Sequence, residues 1–116
     1  DFEVKLAIGG VPKSVWESVS AFSNTAGGWL IFGIEEKNGI FNIVGVSNPS
    51  KIEHEFLNSL NGEKFNIKIR VNSYKYNFDD KIVLAFYIPI SKQKPVYFNS
   101  LSNSFIRSGS ADRRAL

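Results

Sequence analysis

Val15, Val19, Phe22 and Ala26 recur at i, i+4, i+7 and i+11, the spacing of one face of an amphipathic helix. Asn24 and Thr25 weaken its last turn, and either Gly27 or Gly28 can take the left-handed conformation that closes a helix end. From Trp29 to Ile34 the chain is almost wholly apolar, which predicts a central strand covered on both faces and running on to Glu35. Helix, tight turn and core strand thus follow one another within a few residues.

The same pattern assigns the rest of the chain. Phe2 to Ala7 alternates apolar and charged side chains, as a strand with one wet face does, and Gly9-Gly10 ends it. Pro12 suits the first turn of the helix that follows, where an N–H has no partner. Lys37-Asn38-Gly39 reads as a hairpin turn, with Ile40 to Val46 returning as the second strand. Ser50 and Glu53 form a capping box, and Ile52, Phe56, Leu57 and Leu60 are the stripe of a helix ending at Asn61-Gly62.

From Phe65 the period becomes two. Phe65, Ile67, Ile69 and Val71 turn inward, while Lys64, Asn66, Lys68, Arg70 and Asn72 turn outward, which predicts a half-buried strand with a basic face. Asp79-Asp80 makes a turn, and Ile82 to Ile88 is a second apolar run, stopped by Pro89. After a linker at Lys92 to Lys94, Val96 to Phe98 and Ser104 to Arg107 read as short strands around an Asn/Ser-rich turn. Residues 108–116 read as an exit linker or a helix start. The expected architecture is one α+β domain over 1–110, with two helices packed on a mixed, mostly antiparallel sheet, and 111–116 leading out of it.

Composition narrows the chemistry. The 116 residues are 43% hydrophobic with ten Phe, enough for one core without staples. No cysteine is present, which excludes disulfides, thiolate catalysis and cysteine-ligated zinc and fits a reducing cytosol. No apolar run approaches the roughly 20 residues that span a bilayer, so a soluble, cytoplasmic protein with no membrane partner is expected. With no methionine either, the chain is expected to be a domain of a longer protein. The net charge of +3 leans toward a polyanionic partner.

Four constellations could carry chemistry. Gly9-Gly10-Val11-Pro12-Lys13-Ser14 resembles a phosphate loop, but Pro12 removes a donor where the loop needs glycine, and Ala7 occupies the earlier glycine position. His54 is the single histidine, flanked by Glu53 and Glu55, and reads as a solvated side chain. The row Lys64, Lys68 and Arg70 either tracks a phosphate backbone or is an edge kept charged against aggregation. Arg107, Arg113 and Arg114 join it if the fold brings them together, and Tyr74 and Tyr76 either stack on bases or cover the core rim. Finally, Glu3 and Lys5 share a strand face. If the strand ending at Glu35-Glu36 lies beside them, Glu3, Lys5 and Glu36 could gather around a divalent metal that Glu3 and Glu36 would ligate; a surface ion pair is the alternative.

These blocks also resemble a known family. Glu3-x-Lys5, Pro12-Lys13, Ser20-Ala21-Phe22-Ser23-Asn24-Thr25-Ala26-Gly27-Gly28, Gly33-Ile34-Glu35-Glu36, Val44-Gly45-Val46, Lys94-Pro95-Val96-Tyr97 and Phe105-Ile106-Arg107-Ser108-Gly109-Ser110 occur in the order of the Schlafen-type AlbA_2 domain. The resemblance implies an Alba-like fold and a DNA-binding role at the front of bacterial transcriptional regulators or relatives of RecG-like, ATP-dependent helicases. Animal Schlafen relatives include metal-dependent endoribonucleases. By that resemblance Glu3 matches the middle of three acids and Glu35 or Glu36 the region of the last, with magnesium or manganese as the metal; Arg107 matches the family's arginine.

Three functions are therefore expected in descending order. The first is a nucleic-acid-binding module, for DNA ahead of RNA, gripping phosphates through Lys64, Lys68, Arg70 and Arg107. The second is a metal-dependent endoribonuclease built on Glu3, Lys5 and Glu36. The third is a protein-interaction or homodimerisation module.

Overall fold

The computed structural model describes residues 1–115. Its main sheet has four strands in the order β1-β2-β6-β5, formed by β1 (Phe2–Lys5), β2 (Gly28–Phe32), β5 (Asn72–Phe78) and β6 (Lys81–Ile88). β1 pairs with β2 in parallel through helix α1 (Ser14–Asn24), and the other two pairings are antiparallel. Helix α2 (Pro49–Asn61) lies on the same side as α1. Leu30, Phe32, Leu84, Phe86 and Ile88 meet Val15, Val19, Phe22, Ile52, Phe56 and Leu60 there in one buried core. Phe56 touches both Phe32 and Phe86, at ring separations of 5.5 and 4.5 Å. The α+β class, with two helices on a mixed, mostly antiparallel sheet, is as the sequence predicts.

Two hairpins complete the domain. β3 (Ile34–Lys37) and β4 (Ile40–Ile43) pair around Asn38-Gly39 and stand beside the outer edge of β1. β7 (Phe105–Ser108) and β8 (Ala111–Arg114) pair and pack against α1. Helix α1 is consequently enclosed on two sides, and eight of its eleven residues are buried, Ser18, Ser20 and Ser23 among them.

Several local expectations are corrected. The first helix ends at Asn24, so Ala26 is exposed; Gly27, at φ +73°, donates from its N–H to the Phe22 carbonyl at 2.7 Å. The strand predicted over Trp29 to Glu35 breaks at Gly33, where φ is +103° and an added Cβ would crowd the Ile82 carbonyl. Trp29 and Ile31 are only half-buried, because no helix covers their side of the sheet. Asn48, not Ser50, caps α2, accepting the Lys51 N–H with Pro49 following; Glu53 instead accepts the Ser73 hydroxyl at 2.6 Å.

The segment 65–71 has the predicted alternation but is not a strand. Phe65 and Ile69 are buried and Asn66, Lys68 and Arg70 exposed, yet only a single bridge, Phe65 to Phe98, pairs this stretch. β5 follows it as a seven-residue edge strand with every residue exposed. Val96–Phe98 and Ser104 meet only through the Tyr97–Ser104 bridge. The tail expected as a linker or helix supplies β8, and its last residue, Leu116, lies outside the described residues.

Candidate functional site

Lys68 and Arg70 stand on the outer side of the extended 65–71 segment because the residues between and beside them are pulled inward by the core. Both are exposed, and neither meets a carboxylate among the described residues. They border a pocket of about 250 Å³ between this segment and Pro89-Ile90-Ser91. Ser23, at the end of α1, lines the same pocket; its Oγ is buried with no hydrogen-bond partner among the described residues. Lys64 begins the same row but leans over the Trp16 ring, 5.3 Å from its centroid. With Lys13 it edges a separate groove.

Arg107 does not join this row. Its side chain is 4% exposed and its donors are engaged inside the protein. Nε meets Asp1 Oδ2 at 2.9 Å, Nη1 meets Asp112 Oδ1 at 2.9 Å and Glu3 Oε1 at 3.0 Å, and Nη2 donates to the Phe2 carbonyl at 3.1 Å. The guanidinium also lies over the Phe22 ring at 5.0 Å. It joins the start of the chain, α1 and the β7–β8 hairpin, and the small pocket it lines is shared with Asp1, Glu3 and Glu36, whose carboxylates repel a phosphate. Arg114 is likewise occupied, by the Ser102 carbonyl, Asn103 Oδ1 and the Phe105 ring. Arg113 stands exposed on β8 opposite Ile106, and none of these three arginines lines the pocket that Lys68 and Arg70 border.

Glu3, Lys5 and Glu36 do come together. They line one open groove of about 480 Å³ between β1 and the β3–β4 hairpin, with Glu35, Pro12 and Ser14. The donor set does not fit a divalent metal. Glu3 is held by Arg107 at 3.0 Å and by Lys5 at 3.8 Å, so a metal ion on its carboxylate would sit against cations already in place. Lys5 also donates to Ser14 Oγ. Among the described residues no group of three or more acidic or histidine side chains is placed to hold a metal ion; the three that do converge, Asp1, Glu3 and Asp112, do so on Arg107.

The motif at the end of α1 has a structural task. Asn24 Oδ1 accepts the Val96 N–H, and its amide donates to the carbonyls of Val96 and Phe105, all within 2.8–2.9 Å. Ser20 Oγ donates to the Val96 carbonyl and accepts the Phe105 N–H, while Thr25 Oγ1 accepts the Arg107 N–H. These side chains fasten the C-terminal third to α1. The roles of Asp1 and Asp112 were not legible in the sequence, since Asp1 pairs with Arg107 and Asp112 accepts the Ser18 hydroxyl, each from far along the chain.

Comparison with known proteins agrees with this architecture. The fold is similar to the N-terminal domain of a RecG-related protein from Nitrosomonas europaea, with a TM-score of 0.67 and 24% identity over 96% of this chain and 82% of that one. It is also similar to a protein from Corynebacterium diphtheriae, with a TM-score of 0.62 and 21% identity over 97% of this chain but 22% of that one. No curated protein matches the sequence. The family model for the Schlafen AlbA_2 domain matches residues 1–116, and the chain belongs to that family.

Proposed function

We propose that this domain binds nucleic acid, DNA ahead of RNA, as a module of a larger protein, and that Lys64, Lys68 and Arg70 carry the phosphate contacts. The observation that supports this most is the pairing state of the cations. Arg107 is internally neutralised, whereas Lys68 and Arg70 project from one side of an extended segment with no carboxylate among the described residues to hold them. Alternate residues of an extended chain stand roughly 6.6 Å apart, a spacing suited to successive phosphates. The preference for DNA leans on the family and on the RecG-related name of the fold neighbour from Nitrosomonas europaea.

The test is fluorescence anisotropy of labelled DNA and of a folded RNA hairpin, titrated with the domain and with its Lys68→Glu/Arg70→Glu variant. The proposal expects binding by the wild type and a loss of tenfold or more in the variant. Equal affinity in the two proteins would remove the row from the interface.

A further inference from the structure

The extended segment and β5 form one continuous track, and its outer side changes chemistry halfway along. Phe65, Ile67, Ile69 and Val71 pack on the core, and Ser73 reaches Glu53 on α2, so the odd-numbered residues face the helices throughout. The even-numbered residues face the other way. Asn66, Lys68 and Arg70 come first, preceded by Lys64, which leans back over the Trp16 ring of α1; Asn72, Tyr74, Tyr76 and Phe78 follow on β5.

The aromatic half belongs to a wider surface. The register sets Phe2, Trp29, Tyr87 and Asn72 side by side across all four strands. Trp29 packs between Tyr87 and Tyr74, with ring centroids 5.2 and 5.5 Å away. Tyr76 and Phe78 adjoin at 6.3 Å. Tyr74, Tyr76 and Phe78 are each more than 40% exposed, and both helices lie on the opposite side of the sheet.

We infer that this open face stacks the bases of a single-stranded nucleic acid whose phosphates follow Lys64, Lys68 and Arg70. The inference rests on the nucleic-acid reading above and deepens it by naming the strand state. A ligand that is anionic along one edge and flat and apolar along the other complements a basic row that runs into an aromatic one. A duplex offers only the anionic part, because its bases are already stacked and paired. Stacking on π-faces does not distinguish bases, so the face is sequence-tolerant.

The experiment compares a labelled oligothymidylate of roughly twelve nucleotides, within the range one small domain covers, with a duplex of equal length. The proteins are the wild type, Tyr74→Ala/Tyr76→Ala and Lys68→Glu/Arg70→Glu. Both tyrosines are exposed on an edge strand, and an unchanged thermal melt checks that the variant folds. Tryptophan fluorescence is read in parallel, since Trp29 lies on the face and Trp16 is in the core.

Tighter binding of the single strand, quenching of tryptophan on binding, and a tenfold or greater loss confined to the single strand in the tyrosine variant are the expected results. Duplex binding that equals single-strand binding and is indifferent to the tyrosines would overturn the stacking face while leaving the phosphate row standing. Failure of both ligands to respond to the charge reversal would instead remove the nucleic-acid reading itself. A concentration-dependent dimer abolished by Tyr76→Glu, with no effect on single-strand affinity, would assign the face to a second copy of the chain and overturn the inference.

Discussion

Arg107 shows how a residue's partners decide its role. Its charge and its place in the family motif suggest a phosphate contact, but its guanidinium is enclosed by three carboxylates and the Phe22 ring. Removing one member of a buried ionic cluster leaves charges without a counter-ion, which typically costs about 3–5 kcal/mol. Asp1, with 42% of its side chain exposed, contributes little to that figure, because solvent already screens it. Arg107→Gln should therefore lower stability by about 3 kcal/mol in urea denaturation, with the nucleic-acid affinity of the folded protein within about twofold of wild type, as its guanidinium reaches no phosphate. Unchanged stability with lost affinity would return Arg107 to the interface. The sequence shows the residue but not its three acidic partners, two of which lie at the start of the chain.

At the scale of elements, the hydrophobic pattern located both helices, the β3–β4 hairpin and the two apolar core strands. It misjudged elements whose surroundings are set by distant chain. α1 looks amphipathic because Ser18, Ser20 and Ser23 are polar, yet these serines are buried; Ser18 and Ser20 bond to residues of the C-terminal segments. Alternation predicted a strand at 65–71, and the alternation is there; pairing with the 97–99 stretch stops at the Phe65–Phe98 bridge, so no ladder forms among the described residues. β5 was not distinguished as a strand: Tyr74, Tyr76 and Phe78 alternate with Ser73, Lys75 and Asn77, but on an exposed edge that period marks no core face.

The turn between α1 and β2 is more tightly specified than either element. A Cβ on Gly28 would lie 2.5 Å from Phe22 Cε1, and the Phe22 ring cannot yield freely beneath the Arg107 guanidinium. Gly28→Ala should cost about 1–3 kcal/mol by overpacking and lower the melting temperature by several degrees. A melting temperature equal to that of wild type would show that the ring has room to move.

For the whole molecule, the two sides of one sheet differ in character. The helical side holds the core, and the other side leaves an aromatic surface leading to Lys68 and Arg70, which have no ion-pair partner among the described residues. The acidic groove beside β1 was foreseen as a place where Glu3, Lys5 and Glu36 meet, and they do line it. What the sequence could not show is that Arg107 enters from the other end of the chain and takes up Glu3. The basic row is visible in the sequence because a simple alternation produces it; its lack of ion pairs among the described residues is a property of the folded chain alone. No helix is long and apolar enough to cross a membrane among the described residues.

The most direct test of phosphate contact by this row is the salt dependence of single-strand binding. Each neutralised phosphate contributes about −0.7 to the slope of log K against log salt, so Lys64, Lys68 and Arg70 together predict a slope near −2. Lys68→Ala/Arg70→Ala should bring it to about −0.7. Identical slopes for the two proteins would contradict the account.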